Sequence, residues 1–312
     1  MTAQTAPIRP QNYQDILQIL PRLPEPDLRM ATRALVGTSD LPPELQARRA
    51  WLARWQGREH PRVQHPRLAL FAANHGVVRL APPTHPLVES LPRLVDPNGA
   101  LANQVSAVDA DFRLYEMNLA EPSADFALGQ PAMTTQTCVQ AITYGMMAVD
   151  MGLDVLALSV CGDGQELAAA TLLAALTNAP LAQSLTDCGA DAALAPALQP
   201  ALDAAAGFPP MALLAQFGNA ALAALVGAIL ASRMAHTPVI LADAGGLATL
   251  AVIRALDQQA ARHAALAGVL AGVPLECDLL RLPISAAANE HAALAGIQLL
   301  QQAAQASVLS AH

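Results

Sequence analysis

The sequence predicts an α/β protein, with three α/β/α layers around a mainly parallel, Rossmann-like sheet and a small helical domain drawn from both chain ends. Three observations carry this expectation. From Leu68 onward, short apolar runs alternate with helical stretches, at the spacing of βαβ crossovers. Both flanks of that region read as helical. Several of the apolar runs also stop abruptly on polar residues or glycine, and the carboxyl ends of parallel strands are where such folds bind ligands.

In chain order, residues 12–56 are read as helix, interrupted by Pro21, Pro24 and Pro26 and again at Leu41-Pro42-Pro43, because proline lacks the N–H that a helix interior needs. Trp51 and Trp55 stand i,i+4 on one helix face, the spacing of packing partners, and belong to the small-domain core. Strands are expected at LALFAA (68–73), FRLYEMN (112–118), DVLALSV (154–160), PVILAD (238–243), AALAGVLA (264–271) and ECDLLRL (276–282). Helices are expected at 132–152, 164–176, 219–235, 246–264 and 286–306, while 177–210, rich in Ala, Pro and Asp, gives the least definite pattern. This divides the chain into a small helical domain, 1–60 with 286–312, and a large α/β domain, 61–285. The small residues along 164–176 and 219–235 imply closely apposed helices. Met146, Met147 and Met151 read as core filler. His236 and His263 read as solvated or core-satisfied rather than as ligands.

Composition narrows the function. The 312 residues are 54% hydrophobic and 13% charged, ample for a large core. A net charge of −8 and the lack of a Lys/Arg run argue against nucleic acid, whose binding rests on neutralising phosphates. The longest apolar windows, such as AALAALVGAILA (220–231), are too short for a membrane span. The N-terminus MTAQTAPIRPQNYQ has no apolar signal core. Cys138, Cys161, Cys188 and Cys277 lack CxxC spacing, which points to reduced thiols rather than a disulfide frame or metal site. A cytoplasmic protein without cofactor or metal is expected.

Four strand ends carry the candidate site. They are Asn74-His75-Gly76, Gly162-Asp163-Gly164 leading into Glu166, Asp243-Ala244-Gly245-Gly246, and Pro283-Ile284-Ser285. Glycine lets backbone N–H groups approach a ligand, and a helix N-terminus attracts phosphate or carboxylate. Each stretch also has a plainer reading: His75 in a solvated turn, or Asp163 as a helix N-cap. Four such ends at one sheet edge suggest a pocket for a small molecule bearing a phosphate, with an anion expected near the start of 164–176 or beside Gly245-Gly246.

The same residues resemble a family, the nicotinate mononucleotide:dimethylbenzimidazole phosphoribosyltransferases of cobalamin nucleotide-loop assembly. Ala73-Asn74-His75-Gly76-Val77 is similar to an ADHGV-type motif, and Asn98-Gly99-Ala100-Leu101-Ala102-Asn103 to a small-residue segment ending in Asn. Gly162-Asp163-Gly164-Gln165 resembles a GELG-type turn, Gly218-Asn219-Ala220-Ala221-Leu222 a glycine-led segment, and Pro238 to Asp243 a PVLLDG-type strand. The resemblance runs in order from about residue 15 to 305. It implies transfer of phosphoribosyl from nicotinate mononucleotide to an aromatic base, small-molecule substrates, and a homodimer or a heterodimer with a homologue. It also implies substrate contacts from Asn74, His75, Gly76, Gly162, Gly164, Gly218, Asn219, Asp243, Gly245, Gly246 and Ser285.

The chain departs from the family pattern at the chemistry. Ile284 stands where the family places a glutamate general base, and Leu167-Ala168-Ala169-Ala170 where it has phosphate-binding Asn-Thr-Thr. Asn74 replaces an aspartate, and no glutamine matches the family's base contact. The carboxylates expected to act instead are Glu166, which follows a glycine turn, and Glu290, six residues past Ile284, with Asp163 orienting the ribose. The alternative is a paralogue that binds base or nucleotide, or that partners an active homologue.

Overall fold

The computed structural model describes residues 10–268, 279–284 and 289–306. The proline punctuation sets its first helices. Helix α1 (Tyr13–Leu17) starts at Asn12, whose side chain accepts from the Asp15 N–H while Asp15 reaches back to the Asn12 N–H. This capping box satisfies two N-terminal donors. Helix α2 (Leu28–Ala34) is capped by Asp27. Helix α3 (Pro43–Gln56) opens on proline and closes on Gly57 at φ +63°, so the residue without an N–H begins the helix and the one that tolerates positive φ ends it.

Strand β1 (Pro66–Ala72) follows, then α4 (Leu87–Leu94), α5 (Ala100–Ala107), β2 (Asp111–Glu116), α6 (Thr135–Met146), β3 (Val155–Cys161) and α7 (Gln165–Thr177). Most of the indefinite stretch 177–210 is helical: Pro180 precedes α8 (Leu181–Asp187), Pro196 sits in the first turn of α9 (Ala195–Ala204), and Pro200 lies inside that helix. After α10 (Pro210–Phe217) and α11 (Ala220–Met234) come β4 (Val239–Leu241), α12 (Ala244–Leu256), β5 (Ala264–Ala267), β6 (Leu280–Leu282) and α13 (Asn289–Gln305). The predicted strands are present; β4 is shorter than expected, and residues 269–271 and 276–278 of the last two predicted strands lie outside the described residues. The expected helix 132–152 ends at Met146, before a turn in which Gly152 takes φ +96°.

All neighbouring strands pair in parallel, in the order β2-β1-β3-β4-β5-β6. Successive side chains point to opposite faces of a strand, and the core divides accordingly. Ala69 and Phe71 of β1, Leu156 and Leu158 of β3, and Val239 and Leu241 of β4 join a cluster with α6, α7, α10, α11 and α12. Leu68, Val155, Ala157, Ile240 and Ala265 join a second cluster with Trp51, Leu52 and Trp55 of α3 and Leu294, Ile297 and Leu300 of α13. Both faces are therefore covered, which is why the strands carry few polar residues. The two end helices α3 and α13 pack on one another and also on the sheet.

The small-residue helices serve close packing, as expected. A Cβ at Gly227 of α11 would lie 1.9 Å from the Ile142 carbonyl oxygen of α6, and one at Gly145 would lie 1.8 Å from that of Ala224. The two helices thus meet backbone to backbone. The methionine expectation holds for Met146, which packs against the core, and is corrected for Met147, 68% exposed, and Met151, 98% exposed, which lie in the turns beyond the end of the helix. His263 is core-satisfied, fully buried with Nε2 beside Ser232 Oγ and the Ile229 carbonyl.

The strand order reverses direction between β1 and β3. Chains leaving these two strands pass to opposite faces, and the crevice at such a switch point is where α/β sheets bind ligands.

Candidate active site

Because every strand runs the same way, Asn74, Asp163 and Asp243 emerge at one sheet edge, after β1, β3 and β4. Ile284 follows β6 at the same edge, and Ser285 lies outside the described residues. Asn74 and Asp163 occupy the switch point. The Asn74 amide accepts from the Asp163 N–H at 3.0 Å and donates to the Leu119 carbonyl at 3.1 Å, while the His75 N–H donates to the Asp163 carbonyl at 2.8 Å. The two loops are laced together by these bonds.

The glycines in those loops serve that lacing. A Cβ at Gly162 would lie 1.8 Å from the Ala73 carbonyl oxygen, and one at Gly76 2.7 Å from that of Ser123. Gly164 takes φ +79° and turns the chain into α7. They let one chain segment approach another, where the sequence suggested approach to a ligand.

His75 is not the solvated loop residue of the plainer reading. It is 0% exposed, its Nδ1 accepts from the Val77 N–H at 3.0 Å, and its ring lies edge-on to Phe126. An accepting Nδ1 fixes the neutral tautomer with the proton on Nε2. Burial lowers its pKa to about 4, against opposition from Asp125 and the Phe217 and Gly218 carbonyls. Sealed inside, His75 positions the 76–80 turn and does not reach a ligand as its side chain stands.

Asp243 is also internal. It caps α12 by accepting from the Gly246 N–H at 2.6 Å, and its other oxygen accepts from Ser159 Oγ at 2.7 Å and the Val160 N–H at 2.8 Å. Burial raises its pKa despite these bonds. A Cβ at Gly245 would meet Val160 at 2.2 Å, and one at Gly246 would meet Leu241 at 3.0 Å. The anion expected beside Gly245-Gly246 therefore finds the Gly246 donor already bound to Asp243.

Gly218 closes α10, and Asn219, 0% exposed, caps α11. The Asn219 amide also donates to the Ala73 carbonyl and to Gln165 Oε1. Gln165 was not among the expected site residues. It is 3% exposed, its Nε2 has no partner among the described residues, and it lines a cleft. The signal for it was a long polar side chain heading the otherwise apolar face of α7.

Two clefts flank the head of α7. The first, about 420 Å³, is walled by Pro83, His85, Leu87, Asp163, Leu167 and Leu194; the second, about 410 Å³, by Val160, Gln165, Thr186, Asp187, Asp243 and Asn289. Glu166 and Gly189 belong to both walls. Asn74 instead lines a third, apolar cleft with Val88, Leu91, Leu114 and Leu119. Glu166 is exposed, but the surrounding protein crowds its carboxyl and, with the nearby Asp163 charge, raises its pKa. Asp163 does not cap α7; its Oδ1 accepts from the Leu87 N–H at 2.9 Å, tying the wall of the first cleft to the head of α4. Glu290, in the first turn of α13, lies close enough for its charge to help hold the Cys161 thiol at about 12, where burial is the larger cause. Three carboxylates, Asp163, Glu166 and Glu290, thus gather where β3 ends. No group of His, Cys, Asp or Glu among the described residues is arranged to hold a metal, and no described helix is long and apolar enough to cross a membrane.

Comparison with known proteins agrees with this geometry. A family model described as "Phosphoribosyltransferase" matches residues 41–274. The chain is 28% identical to the nicotinate-nucleotide–dimethylbenzimidazole phosphoribosyltransferase of Methylocella silvestris, over 90% of this chain and 85% of that one. It is 32% identical to the protein of the same name from Brucella anthropi, over 80% and 78% of the two chains. The crystal structure of the Thermus thermophilus protein so named superimposes with a TM-score of 0.69 at 24% identity, covering 90% of this chain and 96% of that one, and shows a shared fold. The chain belongs to the phosphoribosyltransferase family that includes these nicotinate-nucleotide–dimethylbenzimidazole enzymes.

Proposed function

We propose that the protein transfers phosphoribosyl from nicotinate mononucleotide to an aromatic base of the dimethylbenzimidazole type, for cobalamin nucleotide-loop assembly. The observation that carries the reading is the pair of clefts sharing Glu166 at the switch-point edge, in a chain whose relatives bear that activity in their names. The nucleotide lies in the second cleft. The base lies in the first, between the apolar side chains of Pro83, Leu87, Leu167 and Leu194.

The ring nitrogen of the departing nicotinate takes the electrons of the broken glycosidic bond and loses its positive charge, so no acid is needed to expel it. The unprotonated nitrogen of the acceptor attacks the anomeric carbon from the opposite side, which inverts its configuration. The proton on the acceptor's second nitrogen passes to a carboxylate. Glu166 is that base: it stands between the clefts, and crowding together with Asp163 raises its proton affinity, as a general base requires. Asp163 orients the ribose from the wall of the first cleft, which meets the second at Glu166, and the nearby carboxylates, Glu290 among them, stabilise the positive charge that develops on it. Asn74, His75, Gly76, Gly162, Gly164, Gly218, Asn219, Asp243, Gly245 and Gly246 contribute by shaping the walls and holding the loops in register. The protein is taken to act in the cytoplasm on small molecules, as a homodimer or paired with a homologue. The exposed stripe of Tyr144, Met147 and Met151 is the apolar face such a partner would cover.

The test is mass-spectrometric detection of a riboside phosphate after incubation with nicotinate mononucleotide and a panel of aromatic bases. Glu166→Gln should lower turnover about 10²- to 10⁴-fold with an almost unchanged melting temperature, because the side chain is exposed. Full turnover in the variant removes Glu166 as the base. No turnover by the wild type with any base leaves a nucleotide- or base-binding module.

A further inference from the structure

We infer that Gln165 is the hydrogen-bond donor that selects and orients the ribose of the nucleotide in the second cleft, an inference that rests on the nucleotide reading above. The orientation of its amide is forced by a chain of contacts. Asn219 accepts from the Leu222 backbone N–H at 3.0 Å, so that atom of its amide is the oxygen. Its Nδ2 therefore faces the Ala73 carbonyl at 3.1 Å and the near atom of Gln165 at 2.7 Å. A nitrogen there must meet an acceptor, so the near atom is Oε1 and the far one is Nε2. That Nε2 is buried and without a partner among the described residues, in a side chain that forms part of the cleft wall. A buried donor left unpaired is costly, and a ligand oxygen relieves the cost.

The rest of the wall defines the oxygen. Glu166, Asp187 and Asp243 line this cleft, and among the described residues no lysine or arginine does. A phosphate or a carboxylate would face these acids without a countercharge. A sugar hydroxyl donates one proton and offers two lone pairs. A vicinal diol can donate to the exposed acids while accepting from Gln165, so this wall complements the ribose and not the charged ends of the nucleotide.

The test uses the full chain and calorimetric binding of nicotinate mononucleotide, its 2′-deoxy and 3′-deoxy analogues, and ribose 5-phosphate. Two variants separate structure from recognition. Gln165→Glu keeps an acceptor oxygen toward Asn219 and removes the donor; Gln165→Leu removes both, and the melting temperature of each reports its folding. The wild type should bind the ribonucleotide about 10- to 100-fold more tightly than at least one deoxy analogue, and Gln165→Glu should bind the ribo and deoxy forms alike. A variant that retains the wild-type preference, or a wild type without one, overturns the inference. Ribose 5-phosphate bound with the same dependence on Gln165, by a protein that transfers to no base, defeats the phosphoribosyl reading and leaves the ribose subsite standing. Binding of neither probe overturns both.

Discussion

Lowering the pH from 7 to 5 should destabilise this protein by about 4 kcal/mol through two buried histidines. Burial lowers the His75 pKa to about 4 and the His263 pKa to about 3, against an ordinary value of about 6.5. The cause at His75 is visible. A proton on Nδ1 would displace the Val77 N–H that it accepts, and it would place a charge against Phe126, with Asp125 giving partial relief. At His263 the neighbouring Arg233 adds repulsion to burial. Between the depressed and ordinary values the unfolded chain binds a proton that the native state refuses. The stabilisation is therefore complete above about pH 6.5 and is lost as the pH falls through this window. Integrating from pH 7 to pH 5 gives about 2 kcal/mol for each ring, large beside a typical total of roughly 5–15 kcal/mol. The assay is urea unfolding at the two pH values for the wild type and for His75→Gln. The variant starts less stable at pH 7, yet it should lose about 2 kcal/mol less on acidification. Comparing the two losses cancels every other titrating group. Equal losses, or a His75 resonance that titrates near its ordinary value, would refute the reasoning.

Gly162→Ala should lower stability by at least about 3 kcal/mol in a thermal melt, because its Cβ would sit 1.8 Å from the Ala73 carbonyl and neither loop can yield without breaking the lacing. Asp154→Ala should cost roughly 3 kcal/mol: its buried carboxylate accepts from the Gln64 and His65 N–H groups at 3.0 Å and from Arg62 at 2.9 Å, and the loss would show in the urea midpoint. Free inorganic phosphate should bind weakly in calorimetry, since the Gly246 donor is taken by Asp243 and Asp163 and Glu166 flank the uncapped head of α7; submicromolar affinity would contradict this.

What the sequence determined by itself was local. Apolar runs separated by helical stretches specified parallel crossovers, proline and glycine marked most helix ends, and polar strand termini identified the edge that carries the site. The sequence also supplied the family, since its motifs keep their order. Only the tertiary structure decided which polar residues at that edge face inward. His75, Asn219 and Asp243 look like ligands in a one-dimensional reading, and each is buried, with His75 Nδ1, the Asn219 amide and both Asp243 oxygens engaged within the fold. Gln165 looked ordinary, and burial beside Asn219 leaves it a fixed donor in a cleft wall, unpartnered among the described residues. Met147 and Met151 looked like core and face solvent. The physical reason is common to all of them. Periodicity and turn chemistry act over a few residues, whereas burial and hydrogen-bond partners depend on segments far apart in the chain, here Ala73, Gln165 and Asn219, which meet only because β1 and β3 lie side by side and α11 packs across their ends.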